Sequence, residues 1–142
     1  MTHMRQIRFK ARAKKTKEWV EGYYATIHAP RYGGENKLIG FDEIHAIFND
    51  EPGHRDSCHW TDIYPQTLCQ QTDMEDADGI KIWENDIVRL SPFGKPESQY
   101  TGDVVWLQTC FAVEDDCGHT EPLSTLRAHC QIEVIGNRYD EG

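Results

Sequence analysis

TDMEDADGIKIWENDIV, Thr72–Val88, is the stretch whose reading decides the fold. Asp78-Gly79 is a turn dipeptide, because glycine enters positive φ without steric cost and aspartate tolerates turn geometry. Ile80–Trp83 then reads as a short strand, Glu84-Asn85 as a tight link, and Asp86-Ile87-Val88 as the opening of a second strand. The acids Asp73, Glu75, Asp76 and Asp78 invite a calcium-loop reading. An EF-hand loop needs oxygen ligands at positions 1, 3 and 5, Gly at 6 and Glu at 12. Setting Gly79 at position 6 puts Met74 at 1 and Asn85 at 12, and both ends fail. The stretch therefore reads as a solvated acidic turn between strands, with Gly79 required for its conformation.

Working towards the N-terminus, Trp60–Tyr64 reads as extended and ends at Pro65. Asn49–Asp56, with Pro52-Gly53, is a breaker cluster. Phe41–Phe48 is ambiguous: Phe41, Ile44, Ile47 and Phe48 have helical spacing with Asp42 as a cap, yet the run is short enough for a strand. Arg5–Ala13 alternates with period two, placing Ile7, Phe9 and Ala11 on one face and Arg8, Lys10 and Arg12 on the other. Trp19–Tyr24 returns after a polar turn as the second strand of a hairpin. Met1–His3 looks dispensable, a tag remnant or a misassigned start.

Towards the C-terminus, Ser91–Tyr100 reads as a surface loop, and Gly102–Leu107 with Cys110–Val113 as a hairpin. Glu114–Gly118 is an acidic turn, Leu123–Cys130 a short helix or loop, and Ile132–Ile135 a last strand. The expected fold is β-dominated α+β, with an N-terminal β-hairpin unit (residues 1–64) followed by a small SH3-like β-barrel (residues 65–142). These are two units or one integrated domain.

At 142 residues the chain can bury a workable core without staples. Its 38% hydrophobic content predicts a small one, helped by 11% aromatics. Residues 1–20 hold seven basic side chains and one acid, so the remaining chain carries −15 of a total of −9. An acidic body argues against general nucleic-acid affinity. The five cysteines, Cys58, Cys69, Cys110, Cys117 and Cys130, are odd in number. No apolar stretch suits a signal peptide or membrane span, so the expected compartment is the cytoplasm, with free thiols.

Four segments in order resemble the YopX family of small phage and prophage proteins. Met4–Ala11 is similar to that family's M-R-x-I-K-F-R-x opening, and Trp19–Tyr24 to its W-V-x-G-x-Y segment. Pro65–Val88 resembles P-x-T-x-x-Q-x-T-G-x-x-D-x-N-G-x-x-I-[YFW]-E-G-D-I-V. It matches at Pro65, Thr67, Gln70, Thr72, Asp76, Gly79, Ile82, Trp83, Glu84, Asp86, Ile87 and Val88. Glu133–Asn137 with Tyr139 is similar to the E-V-I-G-N-I-Y ending. Asp73 and Asn85 stand where the family has glycine, and Asp78 where it has asparagine. The resemblance implies a phage-associated, β-rich protein, located in the host cytoplasm, and no established activity.

The residues themselves carry no catalytic set. There is no G-x-S-x-G and no Cys/His protease signature, and Gly33-Gly34 lacks the Lys-Ser/Thr of a phosphate loop. Asp86 and Asp103 each precede a Val-containing strand, where capping is a simpler role than hydrolysis. No cysteine or histidine pair has zinc-finger spacing, Cys117-x-His119 being the nearest. No catalytic residue, cofactor or metal is expected. The interaction candidates are Arg8, Lys10 and Arg12, with Lys14, Lys15 and Lys17 beside them. Their expected partners are acids of the same chain or of a second copy, which points to a homo-oligomer, or an unidentified phage or host protein. Nucleic acid is the alternative and a membrane is not expected. A third reading makes the acidic body a DNA-like decoy, and a fourth makes the chain a hydrolase or metal enzyme.

Overall fold

The computed structural model describes residues 7–49 and 59–140. Met1–His3, the Met4–Gln6 part of the opening strand, the Pro52-Gly53 breaker and Cys58 lie outside the described residues. The chain divides into two compact units, Met1–Gln70 and Gln71–Gly142.

In the first unit, β1 (Phe9–Arg12) and β2 (Trp19–Tyr32) form an antiparallel hairpin that pairs Phe9 with Gly22 and Arg12 with Trp19. β3 (Leu38–Phe48) runs back along β2 from Tyr32 to Tyr23, and β4 (Trp60–Asp62) pairs with its last three residues. A single-turn 3₁₀ helix, Pro65–Thr67, leads into β5 (Cys69–Glu75), whose first two residues pair with β1. Ala11, Ile47 and Ile63 are buried at the centre, with Phe9, Val20, Tyr24 and Leu68 packed around them. The Thr67 hydroxyl ties the turn to this sheet. It accepts the Arg12 N–H at 2.9 Å and donates to the Tyr64 carbonyl at 2.7 Å.

In the second unit β5 continues and pairs with β6 (Lys81–Trp83). β7 (Asp86–Pro92), β8 (Tyr100–Trp106), β9 (Phe111–Glu114) and β10 (Thr120–Pro122) follow. A seven-residue helix, α1 (Leu123–His129), precedes β11 (Cys130–Asn137). The five-stranded antiparallel sheet has the order β10-β9-β8-β7-β11. Alternate residues Ile82, Val88, Leu90, Val104, Val113 and Ile132 meet Leu123 and Leu126 of α1 in one buried cluster. Leu123 and Leu126 are three apart, which places both on one helix face.

The chain is mostly β with antiparallel sheets and one short helix, in line with the expected class. Several particulars differ. Phe41–Phe48 lies within a strand, because ten paired residues along β2 outweigh a helical spacing of four apolar side chains. Asp42 caps nothing and instead approaches Arg31 Nη1 at 3.5 Å. β2 extends eight residues past Tyr24, through Pro30. Ile7 is exposed rather than on the core face. The closure expected of an SH3-like barrel is not made among the described residues, where β10 and β11 are the edges of an open sheet. β10 is only three residues long and ends on Pro122, which has no N–H to offer, and α1 follows it directly.

Gly22 sits where β2 passes between β1 and β3, and a Cβ there would collide with the Phe48 carbonyl oxygen. Gly22→Ala should therefore lower stability by about 1–3 kcal/mol, as overpacking against backbone does. Chemical denaturation of the two proteins reads this directly; equal midpoints would contradict the close approach.

Candidate functional site

The basic strand face is present, and aromatic rings as well as the acid Glu21 lie beside it. β1 presents Lys10 and Arg12 beside Glu21 and Trp19 of β2, because opposed residues of an antiparallel pair share a face, and Arg8 just before β1 lies by Tyr23. The Arg8 guanidinium lies 5.5 Å from the Tyr23 ring centroid. Lys10 Nζ and the Arg12 guanidinium lie 4.5 and 5.1 Å from the Trp19 ring centroid. Such cation–π contacts are worth about 0.5–1 kcal/mol each where water reaches them. Arg12 Nη1 also donates to the Lys17 carbonyl at 2.6 Å. Lys14 approaches Asp62 of β4 at 3.7 Å, a contact with an acid of another strand of the kind expected. The aromatic partners were legible as residues of a paired strand, but their stacking on the cations was not read from the sequence.

The second feature is the far half of the β2/β3 hairpin. β1 accompanies β2 only to Gly22, and β4 accompanies β3 only from Ala46. From Tyr24 to Tyr32 and from Leu38 to Ile44 no third strand pairs with either of the two among the described residues. At the base of this ribbon Tyr24 Oη and His45 Nδ1 share a 2.6 Å hydrogen bond, and the rings stack. Burial, aided by the Glu43 carboxylate, holds the Tyr24 phenol above its ordinary pKa, so it stays neutral. At the tip Tyr32, Leu38, Ile39 and Phe41 are 58, 53, 60 and 59% exposed. Four large apolar side chains exposed within ten residues form a patch of the kind that marks an interaction surface.

Thr72–Val88 is not simply the solvated turn expected of it. Asp76 is buried at 8% exposure. Its Oδ1 accepts the N–H groups of Asp78 at 2.8 Å and Ile80 at 2.9 Å, and its Oδ2 accepts Val134 N–H of β11 at 3.0 Å. Burial would raise this carboxyl's pKa; the three backbone donors outweigh it and hold the group below its ordinary range. Asp86, 1% exposed, accepts Trp83 N–H at 2.7 Å and Asn137 Nδ2–H at 2.8 Å. Asp103 lies on β8 opposite Ile87 and Glu114. Asp86 thus closes the β6–β7 turn and fastens β11, as a capping acid does.

The remaining chemical candidates are scattered. Cys69 and Cys130 are buried, Cys110 is half-buried and Cys117 exposed; all four are free thiols. Cys117 and His119 both donate backbone N–H groups to Asp115 Oδ1, at 2.9 and 3.0 Å, so their proximity belongs to a turn. Among the described residues no three His, Cys, Asp or Glu side chains gather as a metal-binding group. The second unit has cavities of modest size among its described residues. One, of about 260 Å³, is lined by Tyr100, Val113, Asp115, His119, Glu121 and Leu126. Another, of about 210 Å³, lies between Phe93, Arg127 and the Glu75–Ala77 turn. Both are smaller than the usual small-molecule site. Among the described residues no helix is long and apolar enough to cross a membrane.

Antiparallel ladders, buried capping carboxylates and left-handed turn residues define a small β-rich protein of two units. The positions that make its turns coincide with a family pattern: Gly79 has φ +81°, and Asp73 and Asn85, both at glycine positions of that pattern, have φ +67° and +71°. The chain belongs to the YopX family, whose model, described as YopX protein, matches residues 8–142. No curated protein matches it.

Asp76→Asn removes one of the two carboxylate acceptors and should lower stability by about 2 kcal/mol. Because the folded-state pKa of Asp76 is depressed, its contribution is complete above the ordinary carboxylate range and is lost as pH falls through the folded value. Thermal melts from neutral to strongly acid pH should show a steeper acid limb for the wild type than for Asp76→Asn; parallel limbs would refute the assignment. Asp73→Gly relieves a left-handed aspartate and should raise the melting temperature, corresponding to about 1 kcal/mol.

Proposed function

We propose that this protein is a non-enzymatic, phage-associated module that works by binding protein, a second copy of itself included. The observation that carries this reading is the exposed apolar tip on a two-stranded ribbon, Tyr32, Leu38, Ile39 and Phe41. An isolated two-stranded ribbon is marginal in water, and contact with another protein is the usual way to cover one. The family relationship supports the phage association, and the host cytoplasm is the compartment that goes with it. The SH3-like description of the second unit belongs to the same reading. It is supported by five short antiparallel strands, a helix placed before the last, and the return of that last strand to β7.

A second reading rests on Arg8, Lys10 and Arg12 gathered with Trp19 and Tyr23. Cations beside rings are the composition of a single-strand nucleic-acid groove. The acidic charge of the rest of the chain opposes it, and so it stands second.

Light scattering coupled to size exclusion, in low and high salt, tests the assembly half of the first reading. The expected outcome is a mass above that of the monomer. A monomer at every salt concentration, together with no partner recovered from lysogenic host extract, ends it. Fluorescence anisotropy with labelled single-stranded DNA and RNA tests the second; salt-insensitive or absent binding at micromolar protein removes it.

A further inference from the structure

Among the described residues the β2/β3 ribbon has two edges with no strand beside them past β1 and β4, and they carry opposite charge. From Tyr24 to Tyr32, β2 contains Arg31 and no acid; from Leu38 to Phe48, β3 contains Asp42 and Glu43 and no Lys or Arg; each strand has one histidine, His28 and His45, the latter 3.3 Å from Glu43. Each edge strand presents main-chain N–H and C=O groups that have no strand beside them among the described residues. We propose that the β2 edge of one copy pairs with the β3 edge of the next, head to tail, so that the ribbons of several copies close into a ring of alternating β2 and β3 strands. This rests on the self-assembly reading above and names its surface and its geometry.

Three features favour this arrangement over others. First, β2 and β3 of neighbouring ribbons pointing the same way are antiparallel, the relation they already have within one chain. The ladder therefore continues without a change of pattern, and closure removes every open edge. Second, the charges discriminate. Two β3 edges brought together antiparallel set Asp42 and Glu43 of each strand against their counterparts, and like charges across strands are destabilising. A β2 edge against a β3 edge repeats between copies the Arg31–Asp42 approach that one hairpin makes at 3.5 Å. Third, Pro30 has no N–H to give, so a ladder on the β2 edge spans Tyr24–Ala29 and stops there. Beyond that stop the tip residues Tyr32, Leu38, Ile39 and Phe41 are left for side-chain contact between neighbouring ribbons.

The test uses two charge-reversed full-length proteins. One carries His28→Glu with Arg31→Glu; the other carries Asp42→Lys with Glu43→Lys. The wild type should run by native mass spectrometry as a discrete oligomer larger than a dimer, as head-to-tail closure requires. Each variant alone should associate more weakly by roughly tenfold or more, since every interface then opposes like charges. Mixed in equal amounts they should associate again, because a copy of one beside a copy of the other restores unlike charges at their interface, throughout a ring of even number and at all but one interface of an odd one. Melting curves of the separate variants establish that both are folded, and Phe41→Ser, at an exposed tip position, weakens association without any change of charge. A β2-to-β2 or β3-to-β3 dimer gives a different result: the variant reversed on the unused strand assembles unaided, and mixing restores nothing. That result overturns the ring while leaving self-assembly in place. A wild-type monomer overturns both.

Discussion

A buried carboxylate organises the second unit. Asp76 sits inside the turn it makes, and an ionised group in that position is strongly unfavourable unless its lone pairs are satisfied. Three backbone N–H groups satisfy them, two from the turn itself and one from Val134 on β11. The turn and the last strand are therefore fixed by one side chain, although 58 residues separate Asp76 from Val134. The Ala77 N–H donating to the Ile132 carbonyl at 2.9 Å continues the same connection along the backbone. A neutral side chain of similar size leaves at least one of those donors unmatched, which explains why an acid is needed in a place that a turn alone would not require.

Asp86 repeats the device one turn later. It accepts the Trp83 N–H and the Asn137 side chain, and Asn137 Oδ1 in turn accepts Tyr139 N–H at 2.9 Å. The separated family segments thus become one hydrogen-bonded set, with the acid of E-x-D-I-V meeting the asparagine of E-V-I-G-N. Thr72 has the same character: its hydroxyl donates to the Ile82 carbonyl at 2.7 Å and accepts Met74 N–H at 3.2 Å, across the left-handed Asp73. The family pattern records turn and capping chemistry, and so it identifies a fold without naming a reaction.

This also explains what the sequence made legible. Local rules found most strands, the Asp78-Gly79 turn and the glycine positions, because turn residues and period-two alternation act over a few residues. Asp76 looked like one solvated acid among several, since its burial depends on β11, far along the chain. The long ribbon escaped for two reasons. Phe41, Ile44, Ile47 and Phe48 fall at helical spacing by coincidence with a strand that is apolar on both faces near its base. The second strand reads only to Tyr24, yet β2 runs on through Pro30, since proline is tolerated on an edge where no N–H is needed. Ala25, Ile27 and Ala29 did alternate, and that weaker signal was the correct one. The barrel expectation took Ile80–Trp83 as one of its strands and missed Thr120–Pro122; β6 pairs with β5 instead, and the fifth strand of the sheet is the three-residue β10, which ends on a proline.

The two candidate surfaces make different demands. The cations of β1 lie against rings in their own hairpin, so a phosphate ligand would have to compete with contacts already made, near a body of strongly acidic charge. The ribbon asks for nothing to be given up. Its tip side chains are already in water, and its edges beyond β1 and β4 lack a strand neighbour among the described residues. Burying apolar surface there gains on the order of 25 cal/mol per Å² removed from water, less the ordering of the strands that carry it. Pro30 on one edge and two acids on the other also limit which strands can pair there, as edges under selection against indiscriminate association do. An edge that rejects copies of itself while accepting its opposite is specific, and specificity of that kind is what an assembly surface requires.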